Sequence, residues 1–98
     1  MTVDLVSMGE PMLEFNQQPG APDGPRLYLE GFGGDTSNAA VAAARQGVRA
    51  AYVTAIGEDP AGVRFLDLWR AESVDSSAVV RSGTHPTAVY FVTHGPRG

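Results

Sequence analysis

Apolar positions along this chain fall into short blocks, each stopped by glycine or proline. Val3-Asp4-Leu5-Val6-Ser7-Met8 is rich in residues that suit a pleated backbone and stops at Gly9, which predicts a first, buried strand. Met12-Leu13-Glu14-Phe15 predicts a second short strand. Pro19-Gly20-Ala21-Pro22-Asp23-Gly24-Pro25 reads as loop, because proline fixes φ and glycine frees it at too many successive positions for a regular element. From Leu27 to Phe32 the chain alternates, Leu27 and Leu29 against Tyr28, Glu30 and Phe32, as a strand with one open face does. Ala88 to His94 predicts a last strand, ended by Gly95-Pro96.

Helical periodicity lies between these blocks. Gly33-Gly34 breaks the third strand, and Asp35 or Thr36 then offers a side-chain oxygen to free amides in a first helical turn. Ala39 to Gln46 holds five alanines in eight residues, a strong helix former, and Gly47 ends it. Ala50 to Ile56 predicts the next strand, stopped by Gly57. Asp59-Pro60 supplies an N-cap and a proline at the first helical position. Gly62, Phe65, Leu66 and Trp69 follow at i, i+3, i+4 and i+7, so a second helix runs from about Ala61 to about Glu72 with Trp69 in the core. Strand, helix, strand, helix is the grammar of an α/β fold with a βαβ parallel sheet. The alternating segments 12–16, 27–32 and 88–94 suit a covered sheet poorly and predict a small antiparallel flap, or lid.

Composition narrows the function. With 98 residues the chain makes at most one small domain, and 43% hydrophobic content is enough for a core. The net charge is −4 and its seven cationic residues are scattered arginines, so a nucleic-acid partner is not expected. There is no cysteine, which excludes disulfides and Cys-ligated zinc and fits a reducing cytoplasm. Neither a signal peptide nor an apolar run of roughly 20 residues is present, so no membrane role is expected and the chain reads as soluble and cytoplasmic.

The candidate chemistry sits at Gly31-Phe32-Gly33-Gly34-Asp35-Thr36-Ser37-Asn38. Paired glycines let a backbone approach a ligand, and a helix opening directly afterwards presents free amides and a positive dipole end. Asp35 and Asn38 add an acceptor and an amide, which suits a polyhydroxylated ligand. The same residues also make a tight strand-to-helix turn, with Asn38 capping locally. Gly31-x-Gly33-x-x-Thr36 nearly matches a dinucleotide fingerprint, with Glu58 at the end of the next strand, but it lacks the third glycine and does not follow the first strand. A phosphate loop of the Walker type is absent, since the chain has no lysine.

These residues resemble the first signature of the ribokinase-like carbohydrate kinases. Gly33-Gly34, Asn38, Ala40, Gly47 and Gly57 occur in the family's order, with six residues between Ala40 and Gly47 and nine between Gly47 and Gly57. Gly9-Glu10-Pro11-Met12-Leu13-Glu14, Gly57-Glu58-Asp59-Pro60-Ala61-Gly62 and Val74-Asp75 match other recurring elements, so the likeness covers nearly the whole chain. Thr36 departs from the broad signature, where many members carry a small residue. Gly33-Gly34-Asp35-Thr36-x-Asn38 is instead similar to 2-keto-3-deoxygluconate kinases, as are Gly9-Glu10-x-Met12-x-Glu14 and Ala88-Val89-Tyr90-Phe91. Fructokinases and related sugar kinases share most of the pattern.

The resemblance implies transfer of the ATP γ-phosphoryl group to a sugar-acid hydroxyl, with ATP and Mg²⁺ as cofactors that no residue here clearly binds. It implies that Gly33, Gly34 and Asn38, beside Asp35, hold substrate hydroxyls while Tyr90 reaches in from the flap. The family's catalytic aspartate lies in a late glycine-rich motif that this sequence lacks, so no catalytic residue is expected, and Asp35 and Asp59 read as helix caps. Family members are several times longer. Residues 1–98 therefore read as the amino-terminal part of one kinase domain without its ATP-binding part, inactive alone, with Gly95-Pro96-Arg97-Gly98 as a hairpin turn lacking its returning strand.

Other residues carry less. His85 and His94 have no third ligand at metal spacing and read as solvent-facing, and no metal site is expected. Glu10 and Glu14 face either substrate or solvent, Thr87 beside the flap either lines the site or, more simply, is a plain strand residue, and Glu72 and Asp75 read as solvated. Arg45 and Arg49 flank the first helix's C-terminus, where positive charge is favourable. A non-catalytic alternative is a small sugar-binding module that forms a homodimer through the exposed edges of the flap strands.

Overall fold

The computed structural model describes residues 2–95. In chain order these form β1 (Leu5–Met8), β2 (Met12–Gln17), β3 (Tyr28–Gly33), α1 (Asp35–Arg45), β4 (Ala50–Val53), β5 (Ala55–Gly57), α2 (Pro60–Ala71), β6 (Val80–Ser82) and β7 (Ala88–Val92). β1 pairs parallel with β4, Leu5 opposite Ala50 and Met8 opposite Val53. β5 pairs parallel with β6, and Ala51 bridges to Asp75 in the same sense. Helices α1 and α2 make the returns, as the alternation of apolar blocks required.

The block from Ala50 to Ile56 is two strands, not one. The break falls at Thr54, whose carbonyl accepts from Val80 N–H, so β4 continues to β1 while β5 turns to β6. Strand β6 was not anticipated, because three residues with an exposed Val80 leave no periodic trace.

The flap is a three-stranded sheet ordered β3-β2-β7. Only half of it is antiparallel. β2 and β3 pair antiparallel, Met12 opposite Gly33 and Gln17 opposite Tyr28, but β7 joins the other edge of β2 parallel, Met12 opposite Ala88 and Asn16 opposite Val92. A strand arriving through α1, β4, β5, α2 and β6 enters from the root of the flap, as β2 does, which forces the parallel sense. Pro96 to Gly98, where a hairpin turn was expected, lie outside the described residues.

Helix α1 starts earlier than a side-chain cap would place it. Its N-cap is Gly34, with φ 99° and no side-chain cap bond, so neither Asp35 nor Thr36 caps. Thr36 instead shares a 2.7 Å hydrogen bond with the Tyr52 hydroxyl, tying the first turn to β4. Gly47, at φ 85°, ends the helix as expected.

The core gathers Leu13, Ala40, Tyr52, Ile56, Phe65, Trp69 and Val74. Trp69 stacks on Phe65 and tilts against Tyr52, with ring centroids 5.4 and 5.0 Å apart. Its indole N–H donates to Ser37 Oγ at 2.9 Å, so its polar edge is satisfied inside the core. Each such fully buried aromatic contributes roughly 2–3 kcal/mol. Glu72 is not simply solvated, since Arg45 holds it in a two-point ion pair of 2.5 and 2.8 Å. The pair is exposed and contributes little.

Candidate functional site

Strand periodicity puts Met12, Glu14 and Asn16 on one face of the flap. Register brings Gly33, Gly31 and Leu29 of β3, and Ala88, Tyr90 and Val92 of β7, to that same face. Tyr90 lies directly opposite Glu14, and its hydroxyl donates to Glu14 Oε1 at 2.8 Å. Its ring then reaches across β2 to Gly33, where an added Cβ would come within 2.6 Å of the phenol oxygen. Gly31 does the same for Glu14, whose Oε2 would meet a Cβ there at 3.3 Å. The alternate glycines of β3 thus form a floor on which two polar side chains lie flat.

Gly34 carries this floor into α1. A Cβ on it would meet the Glu10 carbonyl oxygen at 2.8 Å and Pro11 Cα at 3.0 Å, so the loop after β1 presses against the glycine pair. Glu14 accepts from the Tyr90 phenol and thereby disfavours its ionisation, burial adds to this, and the charges of Glu14 and Asp35 push in the same direction. The phenol therefore stays neutral to a higher pH than an ordinary tyrosine. Gly33, Gly34, Asp35 and Tyr90 are therefore brought together, at the positive end of α1.

Asn38, one turn further on, is exposed and lines a groove with Phe32, Val41, Arg45 and Leu68, and no hydrogen bond among the described residues joins it to Tyr90. Gly31 and Gly33 end a flap strand rather than the first strand of a βαβ unit, which removes the dinucleotide reading. A cavity of about 570 Å³ lies at the far end of the flap between Asn16–Gly20 and His94 and is lined by none of the candidate site residues. Among the described residues, the His94 ring bonds to Asn16 and the His85 ring to Ser82 and Thr84. Among the described residues no group of three or more His, Cys, Asp or Glu side chains converges as a metal ion would require.

Thr87 is not a plain strand residue. It is buried, and its hydroxyl donates to Asp59 Oδ1 at 2.7 Å while its N–H donates to Asp59 Oδ2 at 2.8 Å. Asp59 Oδ1 also accepts from Gly62 N–H at 2.7 Å as the N-cap of α2, and Gly57 N–H donates to Thr87 Oγ1 at 2.9 Å. One carboxylate thus clamps the entry of β7 to α2 and β5. The N–H and hydroxyl of Thr87, then the Gly62 N–H, hold the Asp59 pKa below the ordinary 3.8. A depressed carboxylate stabilises the fold above its unfolded pKa, and that contribution disappears as pH falls through the lower folded value. Asp59→Asn points an amide donor at a donor and is expected to destabilise the chain by about 2 kcal/mol at pH 7. Denaturation followed by Trp69 emission should show that gap shrinking below about pH 4; a gap unchanged at pH 3 would count against the clamp.

Comparison with known proteins assigns the family. The model of the pfkB family carbohydrate kinases matches residues 5–98. The chain belongs to that family. A curated relative, the 2-dehydro-3-deoxygluconokinase of Escherichia coli strain K12, is 38% identical over 96 residues, covering 94% of this chain and 29% of the relative. The enzyme of the same name from Bacillus subtilis is 34% identical over 84 residues, covering 84% of this chain and 26% of the relative. Among solved structures, fructokinase from Xylella fastidiosa superposes with a TM-score of 0.90 at 33% identity, covering 96% of this chain and 29% of that one. The fold is therefore ribokinase-like, and the chain spans under a third of the length of these relatives. No helix among the described residues is long and apolar enough to cross a membrane.

Proposed function

We propose that residues 1–98 are the sugar-binding, amino-terminal part of one kinase domain that transfers the ATP γ-phosphoryl group to 2-keto-3-deoxygluconate (2-dehydro-3-deoxygluconate). The observation that carries this is the Gly33–Gly34 floor with Tyr90 laid across it, in a segment 38% identical to the Escherichia coli enzyme. In this reading the main-chain groups of Gly33 and Gly34, the Asp35 carboxylate and the Tyr90 phenol hold substrate hydroxyls, and Asn38 joins them by its place in the motif. Glu14 and Asp35 make the cradle acidic. The hydroxylated end of a sugar acid suits it, and the substrate carboxylate points away.

ATP, with Mg²⁺, supplies the phosphoryl group. A fructokinase from Xylella fastidiosa is described with bound ATP. In this reading the chain's part in the reaction is to bind and orient the sugar and to exclude water through the flap. We propose a cytoplasmic location, where ATP is available, and no activity for the 98 residues alone.

Fructose is the second candidate substrate, favoured by the 0.90 superposition on the Xylella fructokinase. Leu29 and Phe91 are 63% and 61% exposed on the flap, which supports a homodimer formed through its strands; sedimentation of the chain tests it. For the function itself, the polypeptide produced from the natural reading frame should release ADP on addition of 2-keto-3-deoxygluconate, at least tenfold faster than with fructose at equal concentration. Faster turnover of fructose would replace the substrate, and release with neither sugar would remove the kinase reading in favour of a binding module.

A further inference from the structure

A phenol has one hydrogen to donate, and in this fold Tyr90 gives it to Glu14. A carboxylate oxygen has only lone pairs, so the polarity of this bond is fixed by chemistry. What remains at the Tyr90 oxygen is acceptor capacity. The register leaves Glu14 no alternative neighbour on β7, since Tyr90 is its direct partner, and glycine at 31 removes the Cβ that would crowd it.

We infer that Glu14 is a specificity-determining positioning residue: by taking the Tyr90 hydrogen it makes the Tyr90 oxygen an acceptor, which selects a substrate hydroxyl at that place and rejects a carbonyl or carboxylate oxygen. This rests on the reading that Tyr90 faces the sugar. Glu14 does not touch the substrate in this scheme; it acts through Tyr90. Removing it frees the phenol both to swing off the Gly33 floor and to donate, so orientation and selectivity are lost together. The neutral phenol fits this role, because an ionised oxygen would accept indiscriminately and repel Asp35.

The test uses the polypeptide from the natural reading frame, with Trp69 emission as the check that each variant is folded. Tyr90→Phe and Glu14→Leu should each lower kcat/KM by about five- to tenfold, mostly through KM. The double variant should be no worse than Tyr90→Phe alone. Glu14→Gln keeps an acceptor oxygen and should stay within about threefold of wild type. Additive losses, or a Glu14→Gln variant as poor as Glu14→Leu, would overturn the inference. If Tyr90→Phe is impaired and Glu14→Leu is not, Glu14 loses its role while the cradle stands; if Tyr90→Phe is unimpaired, both fall.

A second readout needs no activity. The titration of Tyr90, isolated as the phenolate absorbance difference between the polypeptide from the natural reading frame and its Tyr90→Phe variant, should move down towards the ordinary tyrosine range in Glu14→Leu. Asp35 remains to hold part of the shift. A titration unmoved by Glu14→Leu refutes the coupling whatever the substrate is.

Discussion

Gly62→Ala is expected to destabilise the chain by about 3 kcal/mol or more, although alanine inside a helix ordinarily stabilises by about 1 kcal/mol. The new Cβ would lie 2.3 Å from the Gly57 carbonyl oxygen and 3.2 Å from both Asp59 Oδ1 and Thr87 Oγ1. The first of these atoms is backbone in β5, held by pairing with β6, so it cannot step aside. Helix α2 must move instead. That movement breaks the Asp59 cap at Gly62, draws Phe65 and Trp69 out of the core, and releases β7 through Thr87. Trp69 is the chain's one tryptophan, so a red-shifted emission and an earlier denaturation midpoint report it directly. Gly47→Ala is the control: it has open space but a φ of 85°, and it should lose only about 1 kcal/mol. A Gly62→Ala protein within 1 kcal/mol of wild type would mean that α2 does not pack on β5 this closely.

The second large effect is at Gly34, and it separates folding from function. Gly34→Ala must place an L side chain at φ 99°, at an expense of about 1–3 kcal/mol, before any contact is counted. Its Cβ would also meet three backbone atoms, Glu10 O at 2.8 Å, Pro11 Cα at 3.0 Å and Met12 N at 3.3 Å. The loss should reach about 3 kcal/mol, with sugar phosphorylation reduced more than tenfold in the polypeptide from the natural reading frame. Gly33→Ala offers the contrast. The three atoms nearest its Cβ all belong to the end of the Tyr90 side chain, which can rotate away. Gly33→Ala should therefore lose less than about 1 kcal/mol of stability yet lower sugar turnover by about five- to tenfold, as loss of the Tyr90–Glu14 bond does, because Tyr90 leaves Glu14. Equal stability of the two variants would contradict the strained turn at Gly34.

Much of this protein is written locally. Asp59-Pro60 followed by Gly62, Phe65, Leu66 and Trp69 determined α2, its cap and its buried face, because N-capping and 3.6-residue periodicity act within a few residues of each other. Five alanines before Gly47 determined α1 and its end, and alternation determined the three flap strands. The glycine pair and its surroundings also carried the family resemblance, which the match over residues 5–98 bears out.

Other features depend on residues far apart in the chain, and only the tertiary structure decided them. The N-cap of α1 at Gly34 combines a positive φ with the close approach of the loop of Glu10 to Met12, so the local capping preference of Asp35 and Thr36 was overridden. The parallel pairing of β7 with β2 depends on where α2 and β6 return the chain, which periodicity along one strand cannot encode. Thr87 became a clamp only because Asp59, 28 residues earlier, lies beside it. Glu14 found its partner 76 residues away in Tyr90. Sequence alone determined which segments form strands and helices, through short-range propensity and side-chain period; the fold determined which polar side chains face one another, because hydrogen-bond partners are chosen by distance in space.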